Sequence, residues 1–396
     1  MSDFESDHDE LPFTESEYEN RLERVQARIR ETGVAALLVT TPENVYYLTG
    51  HQAACYYTYQ ALVVPAEGTP AFVIREVDGV NIEAGSWISR RREYSDAHSR
   101  ATSVETVAGI ATTAELLEEM DLGSQTIGYE ADSWFLTRHQ LDALEHATAA
   151  SLVPTTGLVE AERRVKSPTE IEYIREAAAV STAATEAGIA AIEAGVTESD
   201  LAADIYYEMI KRGGQHVGGQ ALITSGSRTN LVHNHWSDRQ LEPGDPVYFE
   251  IPGAVNRYHA CLLRTEFVGD PPERAREVFS VFERALDIAI DTIEPGITAT
   301  AVDEACRDAI DEAGYGSLSP HRTGYSLGIA FPPGWGEGHL VSLGPGDDTV
   351  LEPNMVFHVP RVAFLPDLGA VGLSATLRVS QNGCEVLADL DRSFPR

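Results

Sequence analysis

Residues 248–268 read YFEIPGAVNRYHACLLRTEFV. Two apolar runs flank Gly253 and Asn256, residues that supply turn chemistry, so the segment predicts a β-hairpin. Val247, Phe249 and Ile251 alternate along the first run, as residues on one face of a strand do. Glu250 interrupts that run. A carboxylate inside an apolar strand is costly unless it is paired or hydrogen-bonded. Two explanations stand open at this point: an ion pair with Arg257 or Arg264, or a catalytic carboxylate kept in a poorly hydrated place.

Outward from the hairpin, helical and strand signals separate into two regions. Ser167-Pro168-Thr169-Glu170 is a capping box with Pro at the first helical position, and it predicts a long helix from there. A second helix is expected over about 198–212, strand pieces with Gly-rich joints over 218–267, and two helices near 273–293 and 299–314. From His321 the pattern is again strand-like. Helices flanking one antiparallel sheet make an α+β domain. The region before it differs. Thr14-x-x-Glu17 opens a helix that Gly33 can stop. Strands are expected at 35–39, 61–65, 70–74 and 126–129, helices at 103–120 and 133–146, and a Tyr-rich loop at 42–50. That alternation predicts a smaller α/β domain with a mainly parallel or mixed sheet. The expected division is an acidic, disordered tail over 1–12, a first domain over 13–165 and a second over 166–396, as a length of 396 residues favours.

The chain carries 62 Asp and Glu against 29 Lys and Arg, a formal net charge of −33. Nucleic acid and anionic membranes need a basic footprint, so neither is an expected partner. Acidic residues along the whole chain, with Lys almost absent, predict a halophilic protein, because molar salt screens self-repulsion over about 3 Å. The first residues lack a basic-then-apolar leader pattern and no run reaches a membrane-spanning length, so a cytoplasmic location is expected. The four cysteines are scattered and predict neither disulfides nor a zinc knuckle.

Histidines concentrate in the second region. His233 and His235 form an H-x-H pair beside Trp236, and strand alternation would put both on one face. His259, His321, Tyr325, Glu337, His339 and His358 follow. His233 with Glu250 would make an acid–base or acid–nucleophile pair. His233, His235 and His259 could alternatively supply three imidazoles to zinc.

These segments together resemble the creatinase, aminopeptidase P and methionine aminopeptidase superfamily, whose catalytic domain has the pita-bread fold. The resemblance rests on KSPTEIEYIREAA (166–178), VHNHWSDRQLEPGD (232–245), RYHACLLRT (257–265), HRTGYSLG (321–328) and DDTVLEPNMVFHV (347–359), with TTPENVYYLTG (40–50) fitting the smaller domain. It implies an α+β pita-bread C-terminal domain with a creatinase-type α/β N-terminal domain. Most members are two-metal peptidases whose metals sit on two Asp, one His and two Glu. Matched motif to motif, those ligands fall on Glu250, Cys261, Tyr325, Pro360 and, near the last strand, Ser374. Hard divalent ions want carboxylates and imidazole, so the resemblance implies no metal here and no other cofactor.

Metal-free members include creatinases and ectoine hydrolases. A creatinase-type Glu would stand at Leu263. Ectoine hydrolases are more similar: they carry a Glu matching Glu250, the RYH-C-L-RT hairpin, His-x-x-Trp matching His233–Trp236, PPxWGE matching Pro332–Glu337 and LEPNMxFH matching Leu351–His358. The expectation is a hydrolase that opens a C–N bond in a small, zwitterionic, amidine-like compound. Glu250 would be the nucleophile and His233 the acid and base. His235, Trp236, Tyr258, His259, Tyr325, Trp335, Glu337 and His358 would bind substrate. A metal-dependent Xaa-Pro peptidase and a non-catalytic binding protein are the alternatives. The resemblance further implies a homodimer in which His51, Tyr56 and Tyr57 reach a neighbour's site.

Overall fold

The computed structural model describes residues 11–95 and 102–392. Residues 1–10 of the expected acidic tail lie outside the described residues. The chain forms two compact units, residues 1–163 and 164–396.

The first unit contains, in order, α1 (Glu15–Thr32), β1 (Ala36–Val39), α2 (Pro42–Thr49), β2 (Ala61–Pro65), β3 (Ala71–Arg75), α3 (Gly79–Gly85), β4 (Arg91–Tyr94), α4 (Thr102–Glu119), β5 (Thr126–Tyr129), α5 (Arg138–Ala147), β6 (Ser151–Pro154) and α6 (Leu158–Arg163). Its sheet runs β4-β3-β2-β1-β5-β6. The sheet is mixed: β1 pairs antiparallel with β2 and parallel with β5. Two expectations change. The segment expected as a loop at 42–50 is helix α2, with Pro42 in its first turn and Gly50 ending it at φ 84°. Those start and stop signals outweigh the tyrosines, and Tyr46 and Tyr47 are buried in it. Helix α5 begins at Arg138 rather than near 133, because Thr137 and Gln140 form a complete capping box there.

The second unit contains α7 (Pro168–Ala190), α8 (Glu198–Lys211), β7 (Leu222–Ser225), β8 (Pro246–Val255), β9 (Tyr258–Phe267), α9 (Glu273–Thr292), α10 (Ala299–Glu312), β10 (Gly324–Ser326), β11 (Ser342–Leu343), β12 (Val356–Leu365), β13 (Gly369–Ser380) and β14 (Gly383–Ala388). Both halves of the Ser167–Glu170 capping box form at the start of α7. The sheet runs β11-β10-β12-β13-β9-β8-β7, with β14 on β13. The β8–β9 hairpin pairs from Pro246↔Phe267 to Val255↔Tyr258. Its turn is Asn256-Arg257, both left-handed at φ 46° and 64°, as a two-residue hairpin loop requires. Gly253 is therefore not a turn residue. It lies inside β8, where an added Cβ would meet the Ala177 carbonyl oxygen of α7 at 2.1 Å, so only Gly permits that approach.

Period-two alternation gives this sheet two different faces. On one face, Phe357, Val359, Ala363, Val371, Leu373, Ala375 and Leu377 pack with Phe279, Phe282, Leu286, Val302 and Cys306 of α9 and α10. On the other, Leu222, Tyr248, Leu263, Val362 and Ala370 form a small cluster against Trp335 and Phe364. Glu250 belongs to this second face, opposite Leu222 on one side and Leu263 on the other. Among the described residues no helix is long and apolar enough to cross a membrane.

Candidate active site

A pocket of about 420 Å³ opens on that second face, a size that suits a small molecule. Its lining includes Thr224, His233, Tyr248, Glu250, Leu263, His321, Arg322, Tyr325, Trp335 and Pro360. Glu250 is almost wholly buried. The Tyr248 hydroxyl donates to its Oε2 at 2.9 Å. Its Oε1 lies 3.9 Å from His358 Nδ1 and accepts no hydrogen bond from the described residues. The ion pair expected as one explanation of Glu250 does not form: Arg264 pairs with Glu266 at 2.6 Å, and Arg257 lies over the Phe331 ring. Burial without a cation pushes the Glu250 carboxyl up to about 7, against the opposing Tyr248 bond.

Behind Glu250 a chain of hydrogen bonds joins Leu263, Ser374, His358 and Tyr325. The Leu263 N–H donates to Ser374 Oγ at 2.6 Å, and that oxygen lies 2.9 Å from His358 Nε2. Ser374 Oγ keeps a proton and a second lone pair, so it can donate to Nε2 or accept from it, and both neutral tautomers of His358 satisfy this chain. His358 Nδ1 is 3.0 Å from the Tyr325 hydroxyl, and Trp335 Nε1–H donates to the same oxygen at 2.9 Å. Tyr325 accepts from Trp335, and its own proton is left for the pocket in the tautomer that carries Nδ1–H, whereas it is given to Nδ1 in the other. The Tyr325 side chain lines the pocket. Burial and then Arg361 hold His358 down at about 3, so the ring is neutral. Burial, then Glu250, keeps Tyr325 well above the ordinary phenol range.

His233 sits at the rim. It is exposed and left-handed at φ 58°, in the loop after the turn that ends at Asn230, not on a strand. The expected strand alternation of His233 and His235 therefore does not apply. The loop is held from below by Glu198, which is fully buried. Glu198 accepts from the Ser225 N–H and hydroxyl and from Arg228 Nε with one oxygen, and from the Ser237 N–H and hydroxyl with the other. One side chain on α8 thereby clamps both ends of the segment carrying His233.

The structure gathers Glu250, His233, Tyr325, Trp335 and His358 at one place and takes the other expected residues elsewhere. His235 faces a second cavity lined by Tyr206, Ile210 and Pro332. Trp236 packs edge-on against Tyr206 of α8, with ring centroids 5.6 Å apart. The Tyr258 hydroxyl donates to Glu170 at 2.8 Å and ties the hairpin to the start of α7. His259 accepts the Gly218 N–H at Nε2 and bonds the Arg257 carbonyl through Nδ1, so no nitrogen remains for a metal. Burial lowers it to about 4. The zinc site expected from His233, His235 and His259 is thus not assembled. Glu337 forms a buried ion pair with Lys166 at 3.1 Å, which fixes the loop bearing Trp335 rather than touching the pocket. In the first unit, His51 is buried beside Cys55 and Tyr56 packs on Phe135, while Tyr57 is exposed. Burial of His51 removes it from the residues that can reach outward.

Tyr248, Arg322 and Ser374 are among the pocket and support residues that sequence reasoning did not assign a binding role. Tyr248 carried a legible signal, since it stands two residues before Glu250 and strand alternation puts both on one face.

The positions matched to the superfamily's metal ligands hold Glu250, Cys261, Tyr325, Pro360 and Ser374. Among the described residues, Glu250, Cys261 and His358 bring one potential ligand atom each within 4.8 Å of one another. One carboxylate, one thiol and one imidazole do not fit two hard cations, which want several oxygen ligands each. Both His358 nitrogens are also engaged, by Tyr325 and Ser374. Burial raises the Cys261 thiol well above its ordinary range, so the thiolate that a metal needs is disfavoured there.

Comparison with known proteins gives two family matches: metallopeptidase family M24 over residues 172–381 and the creatinase/prolidase N-terminal domain over 21–165. The chain is similar to an ectoine hydrolase of Halomonas elongata, 28% identical and covering 97% of this chain and 98% of that one. It is similar to y4tM of Sinorhizobium fredii, an uncharacterized hydrolase/peptidase, at 30% identity over 97% of this chain and 98% of the other. Among solved structures it resembles an Xaa-Pro dipeptidase from Bacillus anthracis, with a TM-score of 0.81, 26% identity, and coverage of 96% of this chain and 99% of that one.

Proposed function

The chain belongs to metallopeptidase family M24, and from that premise we propose that it is a hydrolase of the ectoine hydrolase type, opening a C–N bond of a small amidinium compound without the family's metals. The observation that carries this reading is Glu250. It is a buried carboxylate on a pocket wall, held by one neutral donor and lacking a cation. A ligand that brings its own positive charge would relieve that electrostatic cost and draw the carboxylate into its ionised form. Likeness to the Halomonas ectoine hydrolase over nearly the whole chain supports the same substrate class.

In this mechanism Glu250 Oε1 bonds to the amidinium carbon while Tyr248 holds Oε2. One ring C–N bond breaks, and the departing nitrogen takes a proton from His233. His233 then removes a proton from water, which adds to the same carbon as the bond to Glu250 breaks. One water is consumed and the products are an amide and an amine on one chain. Tyr325 would donate to the second nitrogen as charge shifts during attack, with His358 in the Nδ1–H tautomer that leaves the phenol proton available. Trp335 would cover the ring, where an aromatic face against a cation contributes about 0.5–2 kcal/mol.

The test is a substrate panel read by mass spectrometry. Ectoine in molar KCl should open to an N-acetylated diamino acid, and Xaa-Pro dipeptides with added Mn²⁺ should remain intact. Cleavage of dipeptides with ectoine untouched would replace this reading by that of an Xaa-Pro peptidase.

A further inference from the structure

The pocket lining carries one carboxylate, Glu250, and one guanidinium, Arg322. Tyr325 adjoins both groups. Glu250 approaches the hydroxyl end through His358, and Arg322 Cζ lies 4.9 Å from the ring centroid. In an acidic chain, many arginines pair with a carboxylate, as Arg239 does with Asp245 and Arg378 with Glu385. Arg322 pairs with none among the described residues and donates only to Ser342 Oγ, at 3.2 Å. Its place is nevertheless built. A Cβ at Gly338 would come within 2.3 Å of Arg322 Nη2, so glycine keeps that space open. Arg361, buried behind it, donates to the Arg322 carbonyl at 2.7 Å and to Thr323 Oγ1 at 3.3 Å, which fixes the backbone from which Arg322 projects. Asp303, which accepts from the Thr323 N–H, does not line the pocket, and the rim residues near Arg322 are His233 and His321.

We propose that Arg322 anchors the substrate's carboxylate, so that the pocket selects compounds whose cation and carboxylate are a few atoms apart. The proposal rests on the hydrolase reading above and assigns a second binding group to it. A guanidinium suits the task because its planar fork meets both carboxylate oxygens. Lying over the Tyr325 ring, Arg322 also aligns the ligand along the wall that ends at Glu250.

The experiment compares ectoine with the same cyclic amidine lacking its carboxylate, using calorimetric binding and turnover by the wild type, Arg322→Gln and Arg322→Lys. The wild type should bind ectoine about 10- to 100-fold more tightly than the analogue, as a charge-assisted contact implies. Arg322→Gln should close that gap by weakening ectoine alone, with KM for ectoine rising by a similar factor, and Arg322→Lys should restore part of it. A gap that persists in Arg322→Gln overturns the anchor, because the carboxylate is then read elsewhere. Equal binding of both compounds by a wild type that turns ectoine over also overturns the anchor and leaves the hydrolase reading intact. Failure of ectoine to bind or react overturns both.

Discussion

Replacing Glu250 with Gln is expected to stabilise the protein above neutral pH while abolishing turnover. Burial raises the Glu250 carboxyl from its ordinary 4.5 to about 7. For an acid raised on folding, the folded state favours the protonated form, so stability is fullest below the unfolded value and falls as pH rises through the folded one. At about 1.4 kcal/mol for each pH unit between the two values, ionised Glu250 costs about 3 kcal/mol above pH 8. Gln removes that cost. Its amide still accepts from Tyr248, but its N–H groups face Cys261 and His358, poor acceptors, and this offsets about 1 kcal/mol. The net gain is about 2 kcal/mol, or roughly 4–8 °C in Tm for a unit of this size. It should fade toward zero near pH 5, where the wild type is close to its own maximum. The assay is thermal unfolding of both proteins across this pH range in constant molar KCl, beside turnover at each pH. A variant less stable than the wild type at high pH, or a difference that does not change with pH, would refute the claim that Glu250 is a strained, unpaired carboxylate.

Three further outcomes are expected. The pH profile of kcat/KM should rise through about 7 from the acid side, because the free enzyme must lose the Glu250 proton before attack; a profile flat from 5 to 8 would contradict that role. Tyr325→Phe should lower kcat by about 100-fold with KM little changed, as loss of a donor aimed at developing charge does; steady-state kinetics decide it, and a rise in KM alone would reassign Tyr325 to binding. Glu198→Ala releases both ends of the His233 loop, so limited proteolysis should cut between Ser225 and Ser237 and kcat/KM should fall by roughly 10-fold or more; an uncut loop with full activity would show that the clamp is dispensable.

Much of this site was legible in one strand. Glu250 stands out because an acid occupies a position in an apolar run that burial makes costly, and Tyr248 shares its face by simple alternation. Helix α7 could be placed because Ser167, Pro168 and Glu170 are local signals that tertiary contacts did not overrule. Gly253 was misplaced for the opposite reason: its need for glycine comes from the Ala177 carbonyl of a helix far away in sequence. The H-x-H pair looked like strand alternation, yet its conformation is dictated by Glu198, which no periodicity connects to His233. The His358 ring is held by Ser374, itself held by the Leu263 N–H, and these come from two other strands. Long-range hydrogen bonds of this sort leave no trace in local pattern, and they decide which residues of a motif face the substrate.

The most direct test of the central claim is the rate of ectoine opening by protein stripped with a chelator and shown metal-free by elemental analysis. Undiminished turnover, unaffected by adding back Mn²⁺ or Zn²⁺, is the predicted result. Activity that vanishes on stripping and returns with metal would contradict the account, and would assign Glu250, Cys261 and His358 to a metal ion instead of to the substrate.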